Sequence, residues 1–270
     1  MNDIENFSLY GYDLFGNKIK PKKRGVLAER YEYPPFSVLN AREGFWQERK
    51  RAWINLGIQS ELGRDGAVFG IGDKNKWSED LKKRKGLEGK VKTINIQGTS
   101  IFDPVLCELM YKWFCPPNGQ IVDPFAGGSV RGIVAGFLGY KYHGIELRRE
   151  QVEANQKQKN EIAASLNIHW VCGDSVHKLQ EAPMADFVFS CPPYGDLEEY
   201  SKLPEDLSNM RYEDFITVYT KIIHLSMAKL KTNHMACFVV GDFRDKKTGI
   251  YRGFVIDTIN AFKSAGGGLY

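Results

Sequence analysis

Four segments beyond residue 120 carry residue types that bind or activate a ligand. They are residues 123–129 (Asp-Pro-Phe-Ala-Gly-Gly-Ser), Glu146, residues 173–175 (Gly-Asp-Ser) and residues 191–194 (Cys-Pro-Pro-Tyr). The glycines of the first segment let a ligand approach the backbone closely. A carboxylate such as Glu146 can accept hydrogen bonds from both hydroxyls of a ribose, and Asp174 can accept one from an adenine amine. The first three segments together indicate a ligand that contains adenosine.

The fourth segment places a rigid stretch of backbone beside an aromatic ring. Pro192 and Pro193 remove two N–H donors and stiffen the chain, which leaves backbone carbonyl groups as acceptors next to Tyr194. A rigid acceptor with a neighbouring ring suits a planar base. Residues 191–194 therefore predict a site for a nucleic-acid base.

The elements around these segments alternate between strand and helix. The pattern predicts strands at 120–123, 140–146, 168–172, 186–190 and 235–240, and helices at 103–114, 130–138, 147–165, 211–230 and 252–264. This alternation predicts an α/β fold with a doubly wound, mostly parallel, Rossmann-like sheet. Ligands of such sheets bind at the carboxyl ends of the strands, so we expect all four segments to face one crevice.

The N-terminal part of the chain has a different character. Residues 1–100 contain 19 Lys and Arg against 13 Asp and Glu, whereas the remaining residues contain 18 and 20. We predict a basic N-terminal extension over 1–95, ahead of a catalytic domain over 96–270. Basic runs such as Lys20–Arg24, Arg49–Arg51 and Lys82–Lys85 either contact a phosphate backbone or form a solvated face.

One helix is predicted within this extension. Asn40 can cap its first turn with Glu43 three residues later, and the helix carries Trp46 and Trp53 before it stops at Gly57. The two tryptophans share one face. We expect that face to pack on the main domain, and contact with nucleic acid is the alternative.

Several classes of protein are disfavoured by the composition. No run of about 18 apolar residues is present, and the acidic start does not read as a signal peptide. The five cysteines show no metal-ligand spacing. We therefore expect a cytoplasmic protein with reduced thiols, no metal and no membrane contact.

Residues 97–243 resemble the S-adenosylmethionine-dependent amino-methyltransferases of nucleic acids. That family has a glycine loop of the form Asp-Pro-Phe-x-Gly-x-Gly and a catalytic motif of Asp, Asn or Ser followed by Pro-Pro-Tyr or Phe. Here residues 98–104 look like the family's cofactor segment ahead of the glycine loop, an order typical of the gamma class. Too few residues separate the glycine loop from the catalytic motif for an inserted recognition domain.

The resemblance implies S-adenosyl-L-methionine as cofactor and a set of residues that bind it. That set comprises Thr99, Ser100, Phe102, Asp123, Phe125, Ala126, Gly127, Gly128, Glu146, Asp174 and Ser175. The residues of 99–102 would line the methionine end of the cofactor. Asp123 and the backbone of 125–128 would hold its amino and carboxylate groups, Glu146 its ribose and Asp174 its adenine amine.

The catalytic residues implied by the resemblance are Cys191, Pro192, Pro193 and Tyr194. The Pro192 carbonyl would accept a hydrogen of the target amine, and Tyr194 would stack on a base that has left the helix stack. Two positions depart from the family pattern. Ser129 replaces the last glycine of the loop, and Cys191 stands where the family has a better acceptor, because a thiol accepts hydrogen bonds weakly.

The implied activity is methylation of adenine N6 or cytosine N4 in DNA, by a stand-alone enzyme of the phage or bacterial restriction-modification type. Three alternatives stay open. They are an RNA base-amine methyltransferase, a C5-cytosine methyltransferase with Cys191 as nucleophile, and a weakly catalytic nucleic-acid-binding protein that keeps the cofactor pocket. The family normally continues after residues such as 265–270 into a terminal β-hairpin, so we expect either that the hairpin is absent or that the sequence is truncated.

Overall fold

The computed structural model describes residues 39–42, 44–59, 102–162, 164–195 and 200–270. Several of the sequence predictions concern residues outside these ranges. They are the basic runs Lys20–Arg24 and Lys82–Lys85, the capping residue Glu43, the boundary between 1–95 and 96–270, and the cofactor residues Thr99 and Ser100.

Five strands form one parallel sheet in the described part of the chain. They are β1 (Gln120–Asp123), β2 (Lys141–Glu146), β3 (Ile168–Cys172), β4 (Ala185–Ser190) and β5 (Leu230–Phe238). Their order across the sheet is β3-β2-β1-β4-β5, and every neighbouring pair is parallel. Strand β1 lies in the middle of the sheet. From it the chain passes through β2 to β3 at one edge, and it then returns to β4 on the other side of β1. The predicted doubly wound sheet is therefore confirmed, with its topological switch point between β1 and β4.

Seven α-helices accompany the described strands. They are α1 (Gly44–Ile54), α2 (Pro104–Phe114), α3 (Val130–Phe137), α4 (Arg149–Ile162), α5 (Ser175–Lys178), α6 (Tyr212–Lys229) and α7 (Phe254–Ser264). The sequence predicted all of these except the single turn α5, with bounds that differ by at most three residues at either end. No helix in these described ranges is long and apolar enough to cross a membrane.

Two hydrophobic cores lie on opposite faces of the sheet, because alternate residues of a strand point to opposite faces. Phe187 and Phe189 of β4 join the core shared with α1, α2 and α3. Val188 joins the core shared with α6 and α7. Each of these side chains is fully buried, which contributes about 1.5–3 kcal/mol per side chain. Both faces are therefore covered, as a parallel sheet requires.

Helix α1 packs on α2 through its two tryptophans. Trp46 and Trp53 are buried, and their ring N–H groups donate to Asp103 (3.1 Å) and Glu108 (2.9 Å). Arg49, between them, forms a buried ion pair with Glu108, and Lys50 pairs with Asp103 (3.0 Å). These contacts confirm the interpretation that this face packs on the main domain. The prediction that the run Arg49–Arg51 contacts phosphate or forms a solvated face is therefore wrong for Arg49, because the helix turns this residue toward α2.

The boundaries of α1 and β5 differ from the predicted ones. Helix α1 begins at Gly44 because the Asn40 side chain instead accepts a hydrogen bond from the backbone N–H of Arg42 (3.1 Å), which forms a turn. Strand β5 begins at Leu230 rather than at residue 235. Its first residues, 231–233, are polar and exposed on an edge strand, so they lack the apolar signal by which a buried strand is predicted.

Candidate active site

A cavity of about 320 Å³ lies where strands β1 to β4 end. Eleven of the residues predicted for the site line it: Phe102, Phe125, Gly127, Gly128, Glu146, Asp174, Ser175, Cys191, Pro192, Pro193 and Tyr194. Asp123 and Ala126 are fully buried and do not line it. The cavity therefore brings the four sequence segments together at one edge of the sheet.

The glycine loop after β1 is held from both sides. The backbone N–H of Gly127 donates to the Glu146 carboxylate (2.9 Å), and its carbonyl accepts from the Asn155 side chain (2.7 Å). Gly127 has a φ of 52°, a conformation that favours glycine. The loop is thus a fixed cradle, and Gly127 and Gly128 line the cavity.

Asp123 lies beneath this loop and serves as the hub of a buried network. Its carboxylate accepts hydrogen bonds from Arg131 Nε (2.5 Å), the Tyr142 hydroxyl (2.7 Å), the Ser190 hydroxyl (2.5 Å) and the backbone N–H of Phe125 (3.1 Å). Burial raises the pKa of Tyr142 well above its ordinary value, and the Asp123 charge raises it further. Tyr142 therefore stays a neutral donor to this carboxylate.

Arg131 connects that hub to the cavity wall. Burial lowers the pKa of its guanidinium, but the adjacent Asp123 carboxylate more than offsets this and raises the pKa. The guanidinium also donates to the backbone carbonyls of Phe125 and Ala126, the latter at 2.9 Å, and lies 4.7 Å from the ring centroid of Phe102. Sequence reasoning missed Arg131. A lone arginine in the apolar stretch 130–137 was the available signal, because a charge is seldom buried without a partner.

Glu146 and Asp174 occupy the ends of the next two strands. Glu146 Oε1 accepts from the backbone N–H of Arg148 (3.0 Å), while Oε2 accepts from the glycine loop. Asp174 caps α5 by accepting from the backbone N–H of Val176 (2.9 Å). Ser175 donates to the carbonyl of Pro124 (2.5 Å), so its hydroxyl ties α5 to the glycine loop. Both carboxylates are therefore fixed in direction.

The Cys-Pro-Pro-Tyr segment follows directly from β4. The Tyr194 hydroxyl donates to the carbonyl of Val239 (3.5 Å), and its ring packs edge-on against Phe243 and Phe254 at centroid distances of 6.2 and 5.8 Å. Pro192 is buried, and both Pro192 and Tyr194 line the cavity. The segment thus brings a backbone stiffened by two prolines and an anchored ring to the cavity wall.

The remaining wall comes from the stretch after this segment, which the sequence did not identify. Tyr200, Glu205, Asp206 and Leu207 line the cavity together with Arg148. Arg148 Nη1 donates to the carbonyl of Tyr200 (3.1 Å) and joins this wall to the end of β2. The only available signal was its position, immediately after the catalytic motif.

The charged side chains of the cavity are mainly acidic. Four carboxylates line it, from Glu146, Asp174, Glu205 and Asp206, against the two guanidinium groups of Arg131 and Arg148. Arg131 is itself neutralised by Asp123. Such a lining disfavours a ligand with several phosphates and suits one with positive charge. Within the described ranges, no group of three or more His, Cys, Asp or Glu side chains could hold a metal ion.

No model of a known protein family matches this chain, and no curated protein matches it by sequence. Solved structures with a similar chain path include TrmN from Thermus thermophilus, with 15% identity and a TM-score of 0.42 over 56% of this chain and 47% of that one. A methyltransferase from Pyrococcus furiosus has 13% identity and a TM-score of 0.41 over 71% and 88%. Precorrin-6y C5,15-methyltransferase from Geobacter metallireducens GS-15 has 13% identity and a TM-score of 0.42 over 66% of this chain and 74% of that one.

The match to TrmN spans about half of that protein's length. With identities and TM-scores of this size, the similarity identifies neither a ligand nor a substrate. The functional argument therefore comes from the site of this chain.

Proposed function

We propose that the protein transfers a methyl group from S-adenosyl-L-methionine to an exocyclic amine of DNA, adenine N6 or cytosine N4. One observation carries the proposal. Pro192 and Tyr194, which follow β4, line the same cavity as Glu146 at the end of β2 and Asp174 just after β3. A cofactor site and a base site thus share one space.

The residues of the cavity fit this cofactor chemically. Glu146 would accept from the ribose hydroxyls and Asp174 from the adenine amine. The backbone of the glycine loop would face the methionine end. The acidic lining suits a ligand that carries a sulfonium and an ammonium group and no phosphate. Asp123, which does not line the cavity, would act indirectly by holding Arg131 and the loop in place.

The 191–194 segment would act on the target amine. The lone pair of an exocyclic amine is delocalised into the base, so the amine is a poor nucleophile. The Pro192 carbonyl would accept one of its hydrogens and favour a localised lone pair, while Tyr194 would stack on the base and offset part of the cost of unstacking. When bound, the cofactor would supply an electrophilic methyl group on its sulfonium. The amine nitrogen would form the new N–C bond as the S–C bond breaks, S-adenosyl-L-homocysteine would leave, and the methylated nitrogen would lose one proton to solvent.

Cys191 leaves the main acceptor role to Pro192. The neighbouring Ser190 hydroxyl, which could assist, is fully buried and donates to Asp123 (2.5 Å). The Ser190 hydroxyl is therefore already bonded to Asp123 beneath the cavity and does not serve as the acceptor. Cys191 lines the cavity but offers only a weak sulfur acceptor.

Incorporation of labelled methyl from S-adenosyl-L-methionine tests the proposal. Unmethylated plasmid DNA and total RNA are offered separately to the full chain. We expect label in DNA, and we expect Tyr194→Ala to reduce it far more than it reduces cofactor binding. Label in RNA alone would favour the RNA alternative. Cofactor binding with no label in either would leave a nucleic-acid-binding protein and contradict the proposal.

A further inference from the structure

A short hairpin connects β5 to α7 beside the cavity. We call residues 243–252 the β5–α7 hairpin. Arg244 and Tyr251 pair as an antiparallel bridge, and the backbone N–H of Arg252 donates to the carbonyl of Phe243 (2.9 Å). At the tip, Gly249 has a φ of 72° and donates to the carbonyl of Asp245 (2.9 Å). The hairpin therefore has a regular, closed backbone.

Asp245 fixes the shape of this hairpin. Its Oδ1 accepts from the backbone N–H groups of Lys247 (2.9 Å) and Thr248 (2.6 Å), and its Oδ2 pairs with Arg252 (2.6 Å). The hydrogen bonds from Thr248 in particular lower the pKa of Asp245, so the carboxylate stays ionised. A hairpin that is ordered in advance loses little entropy when it binds a partner.

The two faces of the hairpin have different surroundings. Phe243 is 6% exposed, and its ring packs edge-on against that of Tyr194, with 6.2 Å between the ring centroids. Its neighbour Arg244 is exposed and places its guanidinium 3.9 Å from the ring centroid of Tyr251. Tyr251 is itself 57% exposed. One face is thus attached to the proposed base-stacking ring, and the other presents an aromatic ring and a cation to solvent.

The charge of the hairpin is opposite to that of the cavity. The hairpin has four basic residues and one acidic residue, whereas the cavity lining is mainly acidic. Its outer tip adds exposed Lys247 and Ile250, the latter 68% exposed. Exposed rings interleaved with cations are the chemistry that binds a nucleic-acid strand, through stacking on bases and neutralisation of phosphates.

We propose that the β5–α7 hairpin binds the DNA strand that carries the target base. Arg244 and Lys247 contact its phosphates, and the Tyr251 ring stacks on a base next to the flipped one. This inference rests on the proposed function, because it takes the cavity as the place where the target base is held.

Binding to a fluorescently labelled, mixed-sequence DNA oligonucleotide, followed by anisotropy on the full chain, tests this surface. Tyr251→Ala should weaken binding about 5- to 150-fold. With a duplex oligonucleotide, the double variant Arg244→Ala with Lys247→Ala should flatten the slope of log affinity against log salt by about 1.8 units. Cofactor affinity, measured by calorimetry, should be unchanged in both.

Matched controls lie away from the cavity. Tyr270→Ala removes another exposed tyrosine, and Lys141→Ala removes an exposed lysine at the amino-terminal edge of the sheet. Both should bind DNA as the wild type does. Circular dichroism checks that each variant is folded.

Four results would overturn the proposal. They are no DNA binding by the wild type, unchanged binding by the hairpin variants, tighter binding to RNA of the same sequence, and a change in oligomeric state instead of DNA affinity. If the hairpin variants lose DNA binding and neither they nor the wild type methylates DNA, the DNA-binding role of the hairpin is supported but the proposed reaction is contradicted. If the wild type methylates DNA and the hairpin variants keep its DNA affinity, only the DNA-binding role of the hairpin is contradicted.

Discussion

The carboxylate of Glu146 lies 2.9 Å from the backbone N–H of Gly127, so the end of β2 and the glycine loop are joined by a charge-assisted hydrogen bond. One side chain thereby shapes the cradle and also lines the cavity. Its removal should affect the cradle and any ligand bound in it.

Glu146→Ala and Asp174→Ala should each weaken S-adenosyl-L-methionine binding about 10- to 150-fold. Each variant loses a charged acceptor in a half-buried site, worth about 1.5–3 kcal/mol. Calorimetry measures the affinity. Glu146→Gln, which keeps one acceptor oxygen, should lose less. Wild-type affinity in both alanine variants would remove the ribose and adenine assignments.

Tyr194→Ala should reduce methyl transfer far more than cofactor affinity. Its ring faces the cavity at the 191–194 segment, which we assign to the base, and it is anchored by Phe243 and Phe254. Single-turnover kinetics and calorimetry separate the two effects, and Tyr194→Phe should retain most of the activity because it keeps the ring. If cofactor binding and activity were lost in parallel, the Tyr194 ring would contact the cofactor and not the base, which would contradict this assignment.

Asp123→Asn should destabilise the fold by about 3–5 kcal/mol, because it leaves the buried Arg131 guanidinium without its counter-charge. Denaturant unfolding measures this loss. Adding Arg131→Met should recover part of it, since no unpaired charge then remains. The exposed ion pair of Arg211 and Asp214 provides the control: Asp214→Asn should leave the unfolding midpoint unchanged. Equal effects of the two Asn variants would contradict the buried-hub assignment.

The strand-end residues could be predicted because buried strands are short apolar runs followed at once by the functional residue. Val188 and Phe189, for example, lie just ahead of Cys191 and its prolines. Parallel topology then places all such ends at one edge, which is why Glu146 and Asp174 were predicted to meet.

The wall formed by Tyr200 and 205–207 could not be predicted, because its position depends on contacts distant in sequence. Arg148 reaches across 52 residues to the carbonyl of Tyr200, and no periodicity marks that stretch. The burial of Asp123 was missed for a similar reason. Its partners Arg131, Tyr142 and Ser190 come from three different elements, so only the fold shows that the carboxylate is fully occupied.

Cys191→Ser should keep or raise methyl transfer, because a hydroxyl is a better acceptor than a thiol. A nucleophilic thiol predicts the opposite, since the substitution would remove the attacking sulfur. Initial rates with labelled cofactor compare the two proteins. A folded, cofactor-binding serine variant with no turnover would indicate covalent chemistry at a ring carbon.

The identity of the methylated nucleoside tests the central claim most directly. Unmethylated DNA incubated with the full chain and S-adenosyl-L-methionine is digested to nucleosides and analysed by mass spectrometry. The arrangement of Pro192 and Tyr194 in the cavity predicts N6-methyldeoxyadenosine or N4-methyldeoxycytidine, strongly reduced in the Tyr194→Ala reaction. The appearance of 5-methylcytosine, or of no methylated base while RNA becomes methylated, would contradict the account.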